Sequence, residues 1–112
     1  MTSISRKILV ADDEESLRII LRNALTEKGY EVDTVADGKD AMTLLKKHCY
    51  GVALLDIRMP GLGGLEILDR LRKEEQPTAV IIMTAQDTMK NAIDSMKKGA
   101  FDYLAKPFDI EE

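Results

Sequence analysis

A single cysteine, Cys49, in 112 residues leaves no internal disulfide and no CxxC pair for zinc or thiol redox chemistry. Long hydrophobic runs are missing too. The longest, at residues 79–83, falls far short of the roughly 20 needed to cross a bilayer. Arg6 and Lys7 lead into only four apolar residues before Asp12, so no signal peptide is read there. No basic stripe dominates any segment, and 16 Lys+Arg against 20 Asp+Glu give a net charge of −4. That balance argues against direct nucleic-acid binding. There is no Walker A loop. Gly61-Leu62-Gly63-Gly64 is not a dinucleotide fingerprint, because the sixth position is Glu66 and no strand immediately precedes it. Repeats, linkers and low-complexity segments are absent. The 45% hydrophobic and 32% charged composition is that of one globular domain with its own core, expected in the cytoplasm.

Apolar runs of strand length alternate with helical patterns. Residues 8–11, 52–55 and 79–83 are continuously apolar, as strands buried on both faces of a parallel sheet are. Residues 31–35 alternate instead and read as a half-exposed edge strand, and 101–105 read as a short fifth strand. Leu17, Ile20, Leu21, Ala24 and Leu25 mark one face of a first helix, closed by Gly29. Asp37 is the expected N-cap of a second, with Ala41, Leu44 and Leu45. Leu65, Leu68 and Leu71 mark a third, entered through the turn at 60–64, and Met89, Ala92, Ile93 and Met96 a fourth, closed by Gly99. Strand–helix alternation of this kind specifies a doubly wound parallel α/β sheet. Residues 107–112 look like the first turn of a fifth helix, so the domain is expected to continue past Glu112.

In open α/β sheets, ligands bind outside the carboxyl ends of the strands. Those ends carry Asp12 and Asp13 on the first strand, Asp56 on the third, Thr84 on the fourth and Lys106 on the fifth. Each has a plain reading alone: Asp12 or Asp13 could cap the first helix, Thr84 could be a strand residue, and Lys106 a solvated charge. Capping, however, does not require acids on two strands with a hydroxyl and an ammonium on two others. Three converging carboxylates repel unless a cation sits among them. Hard oxygen donors with room for water suit Mg²⁺. A carboxylate neutralised in this way can attack phosphorus as a nucleophile, with the metal, Lys106 and Thr84 stabilising the phosphoryl oxygens.

The segments Ile8-Leu9-Val10-Ala11-Asp12-Asp13-Glu14-Glu15, Leu54-Leu55-Asp56-Ile57-Arg58-Met59-Pro60-Gly61, Met83-Thr84-Ala85 and Ala105-Lys106-Pro107 resemble the response-regulator receiver domain of CheY-like fold. The stretch Gly99-Ala100-Phe101-Asp102-Tyr103-Leu104-Ala105-Lys106-Pro107-Phe108 looks most like receivers of NtrC-type transcription activators. The resemblance implies a five-stranded sheet in the order 2-1-3-4-5, with the fifth helix truncated. It makes Asp56 the phosphoacceptor for a sensor histidine kinase, Asp13 a direct Mg²⁺ ligand, and Asp12 an acid holding the metal through water. Arg58 would supply a backbone carbonyl to the metal. Lys106 would contact the phosphoryl group, and Thr84 and Tyr103 would form the switch pair. It further implies attached output domains, an ATPase and a DNA-binding domain, and a homodimer through the fourth-helix and fifth-strand face.

Two other classes fit less well. A haloacid-dehalogenase-type phosphatase also uses an Asp nucleophile and Mg²⁺, but needs an acid two residues later, where this chain has Arg58. A flavodoxin-like carrier needs a hydroxyl- and glycine-rich phosphate loop where this chain has Asp12-Asp13-Glu14-Glu15. His48 is expected as a C-cap or solvated residue, Cys49 as a structural thiol, Met42 as packing, and Lys46 and Lys47 as a solvated helix end.

Overall fold

A computed structural model describes residues 6–84, 97 and 99–105, with 84 and 103–105 described in their backbone only. Strands and helices alternate: β1 (Lys7–Ala11), α1 (Glu15–Glu27), β2 (Glu31–Val35), α2 (Gly38–Lys47), β3 (Val52–Asp56), α3 (Gly64–Lys73) and β4 (Ala79–Thr84), with β5 (Asp102–Ala105) last. The strands form one sheet in the order β2-β1-β3-β4-β5, every neighbouring pair parallel. The expected fourth helix, Lys106 and the turn at 107–112 lie outside the described residues. Among those described, no helix is long and apolar enough to cross a membrane.

Side-chain alternation along the central strands divides the interior in two. Leu9, Ala11, Ala53, Leu55, Val80 and Ile82 point to the face covered by α2 and α3, where Met42, Leu45, Ile67, Leu68 and Leu71 complete the packing. Ile8, Val10, Leu54 and Met83 face the other way, against Leu17, Leu21 and Leu25 of α1. Apolar side chains on both faces are why these strands read as unbroken hydrophobic runs. β2 sits at the sheet edge, as its mixed pattern requires.

The helices depart from expectation in two places. Ile20 is 50% exposed, because α1 packs through Leu17, Leu21 and Leu25; one residue is about 100° of turn, which carries Ile20 off that stripe. On α3 Leu68 and Leu71 are buried as expected, but Ile67 is buried with them and Leu65 only partly so. Ends behave as read. Asp37 caps α2 by accepting from the Asp40 N–H at 2.8 Å, and Gly29 follows α1 at φ +95°. His48 is the C-cap of α2, donating its N–H to the Leu44 carbonyl at 2.9 Å. Cys49, expected as a structural thiol, is exposed, since it falls in the connection between α2 and β3.

Candidate functional site

Strand order reverses around β1, which leads to β2 on one side and lies against β3 on the other. The crevice outside the carboxyl ends of β1 and β3 is therefore where a parallel sheet can hold a ligand. Register puts acids there. Ala11 is the partner of Leu55, so Asp12 and Asp56 leave neighbouring strands at the same level. One carboxylate oxygen from each of Asp12, Asp13 and Asp56 lies within 4.8 Å of the others. Asp12 is fully buried, Asp56 is 7% exposed, and Asp13 faces solvent.

Backbone contacts fix this arrangement. The Asp12 N–H donates to the Val35 carbonyl at 3.1 Å, carrying the β1–β2 ladder one residue beyond the strands. Asp12 Oδ1 accepts from the Glu14 N–H at 2.9 Å, and the Asp12 carbonyl accepts from Arg18 Nη1 at 2.7 Å. The N-cap of α1 is Glu14, with no side-chain capping bond; the capping role open to Asp12 or Asp13 is not the one they take. Among the described residues, no hydrogen bond or ion pair engages the Asp13 carboxylate.

On β3, Asp56 Oδ1 accepts from the Arg58 N–H at 3.3 Å, and the Ile57 N–H donates to the Met83 carbonyl at 2.9 Å. The chain then turns tightly into α3. A Cβ on Gly64 would stand 2.5 Å from the Asp56 carbonyl oxygen, and one on Gly63 would stand 2.5 Å from that of Ile57. Glycine at both positions lets α3 begin directly against the end of β3. A cleft of about 410 Å³ opens beside the acids, lined by Asp13, Arg58, Met59, Pro60 and Glu66 among others.

Of the other expected site residues, Thr84 is the last residue of β4 and pairs with Ala105 in register. Since Met83 is the partner of Asp56, the Thr84 backbone lies one step beyond Asp56 along the neighbouring strand. Tyr103 is in β5, paired with Ile82. The side chains of Thr84 and Tyr103 and the whole of Lys106 lie outside the described residues. The structure thus brings together the three acids and the Arg58 backbone.

Sequence reasoning missed Arg18 and the close packing that Gly63 and Gly64 allow. Nothing in the sequence separates Arg18 from a solvated helix charge; its contact with the Asp12 carbonyl appears only in the fold.

The sequence profile of the response regulator receiver domain matches residues 8–112. The chain is 42% identical over 106 residues to the transcriptional regulatory protein TctD of Salmonella typhimurium, covering 95% of this chain and 47% of TctD. It is 40% identical over 112 residues to the regulatory protein AtoC of Escherichia coli, covering all of this chain and 24% of AtoC. Thus it spans about half the length of one relative and a quarter of the other. Among solved structures, the beryllofluoride-activated NtrC4 receiver domain dimer superposes with a TM-score of 0.88 at 34% identity, over 95% of this chain and 88% of that one.

Proposed function

The chain belongs to the response regulator receiver domain family, and on that premise we propose that Asp56 accepts a phosphoryl group from a phosphohistidine of a sensor histidine kinase, with Mg²⁺ held by Asp12 and Asp13. The observation that carries the reading is the convergence of the three carboxylates, with oxygens within 4.8 Å, at the carboxyl ends of β1 and β3. The donor set fits the metal: hard oxygen ligands, two of them on buried residues and one open to solvent, leave room for water and phosphate oxygens.

In this reading Asp13 would bind the cation directly, Asp12 would hold it through water, and Arg58 would contribute its backbone carbonyl. Bound Mg²⁺ supplies positive charge that offsets the carboxylates and the transferring phosphoryl oxygens. An Asp56 oxygen attacks phosphorus. The new P–O bond replaces the P–N bond, and the histidine leaves as imidazole. Lys106 and Thr84 donate to the phosphoryl oxygens. The product adds up to about two negative charges and new acceptors beside Thr84, which draw its hydroxyl toward Asp56 and let Tyr103 turn inward behind it.

Residues 1–112 would then be one phosphoacceptor domain that regulates attached output domains in the cytoplasm. TctD is a transcriptional regulatory protein and AtoC a regulatory protein by name, which supports transcription regulation as the output; the likeness to the NtrC4 receiver favours the NtrC type, for which we propose an ATPase and a DNA-binding domain. NtrC4's activated receiver is a dimer, which supports a homodimer; the fourth-helix and β5 face is the surface we propose for it. The phosphatase alternative finds no support in these relatives.

Beryllofluoride, a phosphoryl mimic, tests the site. With Mg²⁺ it is expected to shift backbone amide resonances at 57–58, in the segment after Thr84 and around Tyr103. Equal shifts without Mg²⁺, or an Asp13→Asn protein responding like the parent, would refute the assignment.

A further inference from the structure

Arg18 occupies an electrostatically poor position. It is the fourth residue of α1, where the helix N-terminus disfavours a cation, and it brings a positive charge toward a site proposed to bind one. Its guanidinium nonetheless turns back six residues and donates to the Asp12 carbonyl oxygen at 2.7 Å, the short distance of a charge-assisted bond. That carbonyl belongs to the peptide joining Asp12 to Asp13. Its orientation fixes the plane from which the Asp13 side chain leaves the backbone.

The two acids are held differently. Asp12 is fixed at its N–H by Val35 and at its Oδ1 by Glu14. Asp13 is exposed, and no described residue engages its carboxylate. Where the Asp13 oxygens stand is therefore set by the backbone, and the Arg18 bond restrains that backbone from the helix side.

We infer that Arg18 is a positioning residue for divalent-cation binding: by clamping the Asp12–Asp13 peptide it aims the Asp13 carboxylate at the cation site. The inference rests on the reading of Asp13 as a metal ligand. Two effects of the guanidinium oppose each other, since its charge repels the cation while its hydrogen bond preorganises the ligand. The bond dominates, because it is short and direct, whereas the charge is partly exposed and screened.

The experiment is a Mg²⁺ titration of the whole chain, followed by amide chemical shifts, for the parent, Arg18→Met and Arg18→Lys. Arg18→Met is expected to weaken Mg²⁺ binding about tenfold, the scale on which outer partners of metal ligands act. Arg18→Lys still reaches the carbonyl and should recover most of that loss. Phosphorylation by a small acyl phosphate should need more Mg²⁺ in Arg18→Met yet reach the parent rate at saturation, a split that a general loss of structure would not produce. Thermal unfolding checks that each variant is folded, and Arg18→Gln, which loses the charged donor and should weaken Mg²⁺ binding like Arg18→Met, carries the test if Arg18→Met is not. Mg²⁺ binding by Arg18→Met as tight as the parent's, or tighter, overturns this inference alone. A parent chain without saturable Mg²⁺ binding overturns the proposed function with it.

Discussion

Tyr50 donates its hydroxyl hydrogen to Asp33 Oδ2 at 2.6 Å, tying the residue that leads into β3 to the middle of the edge strand β2. The ring is buried, with only 3% exposure. Lys7 Nζ lies 5.8 Å from its centroid, the His48 ring meets it edge-on, and its carbonyl accepts from Thr78 Oγ1 at 2.9 Å. Tyr50 thus joins both sheet neighbours of β1 at the end away from the acids. Loss of the hydroxyl in Tyr50→Phe is expected to cost about 1–1.5 kcal/mol, measured by denaturant unfolding at neutral pH.

The same bond makes stability sensitive to alkali. Burial first, then the hydrogen bond and the charge of Asp33, raise the Tyr50 hydroxyl above its ordinary value of 10.0. A group with a raised folded value binds its proton more tightly when folded. Its contribution is complete below the ordinary value and declines as pH climbs through and beyond it. The parent protein should therefore lose stability more steeply than Tyr50→Phe above pH 10.0. Parallel slopes in paired denaturant titrations would contradict this.

Gly38, the first residue of α2, packs against the loop that follows Asp56. Its N–H donates to the Pro60 carbonyl at 3.1 Å, and an added Cβ would overlap the Leu62 carbonyl and lie 2.7 Å from the Leu62 Cβ. Overpacking costs about 1–3 kcal/mol, against which a gain of up to about 1 kcal/mol in helix propensity weighs little. Gly38→Ala should destabilise the fold by about 1–2 kcal/mol and shift amide resonances at 57–63. Unchanged stability would show that the Leu62 backbone yields freely.

Arg72 holds the opposite end of the sheet. Its guanidinium donates to the carbonyls of Gln76 at 2.7 Å, Thr78 at 2.8 Å and Gly99 at 3.2 Å, joining the α3–β4 connection to the turn before β5. Arg72→Met should lower stability by about 2 kcal/mol, the scale of hydrogen bonds to a charged donor. Thermal unfolding checks this; a change near zero would mean that water replaces all three bonds.

Strands were legible because burial on both faces leaves an unmistakable apolar run, as in β1, β3 and β4, whereas their order came from the family resemblance. The acids were legible because each ends such a run. What was hidden depends on packing between segments distant in sequence. Ile20 carries the right periodicity but lies beyond the stripe that contacts the sheet, whereas Ile67 lies on it. Gly38 and Gly64 look like ordinary turn residues until the Leu62 and Asp56 backbones are seen against them. Arg18 reads as a solvated helix charge, and only the fold shows it turned back to the Asp12 carbonyl.

Phosphoryl transfer to a defined side chain tests the central claim most directly. The protein would be incubated with Mg²⁺ and a small acyl phosphate donor, and the modified residue located by peptide mass spectrometry after reductive trapping. One phosphoryl group on Asp56 is expected, dependent on Mg²⁺ and absent from Asp56→Asn. Stable phosphorylation of Asp56→Asn, or a phosphoryl group located on a different residue of the parent protein, would contradict the account.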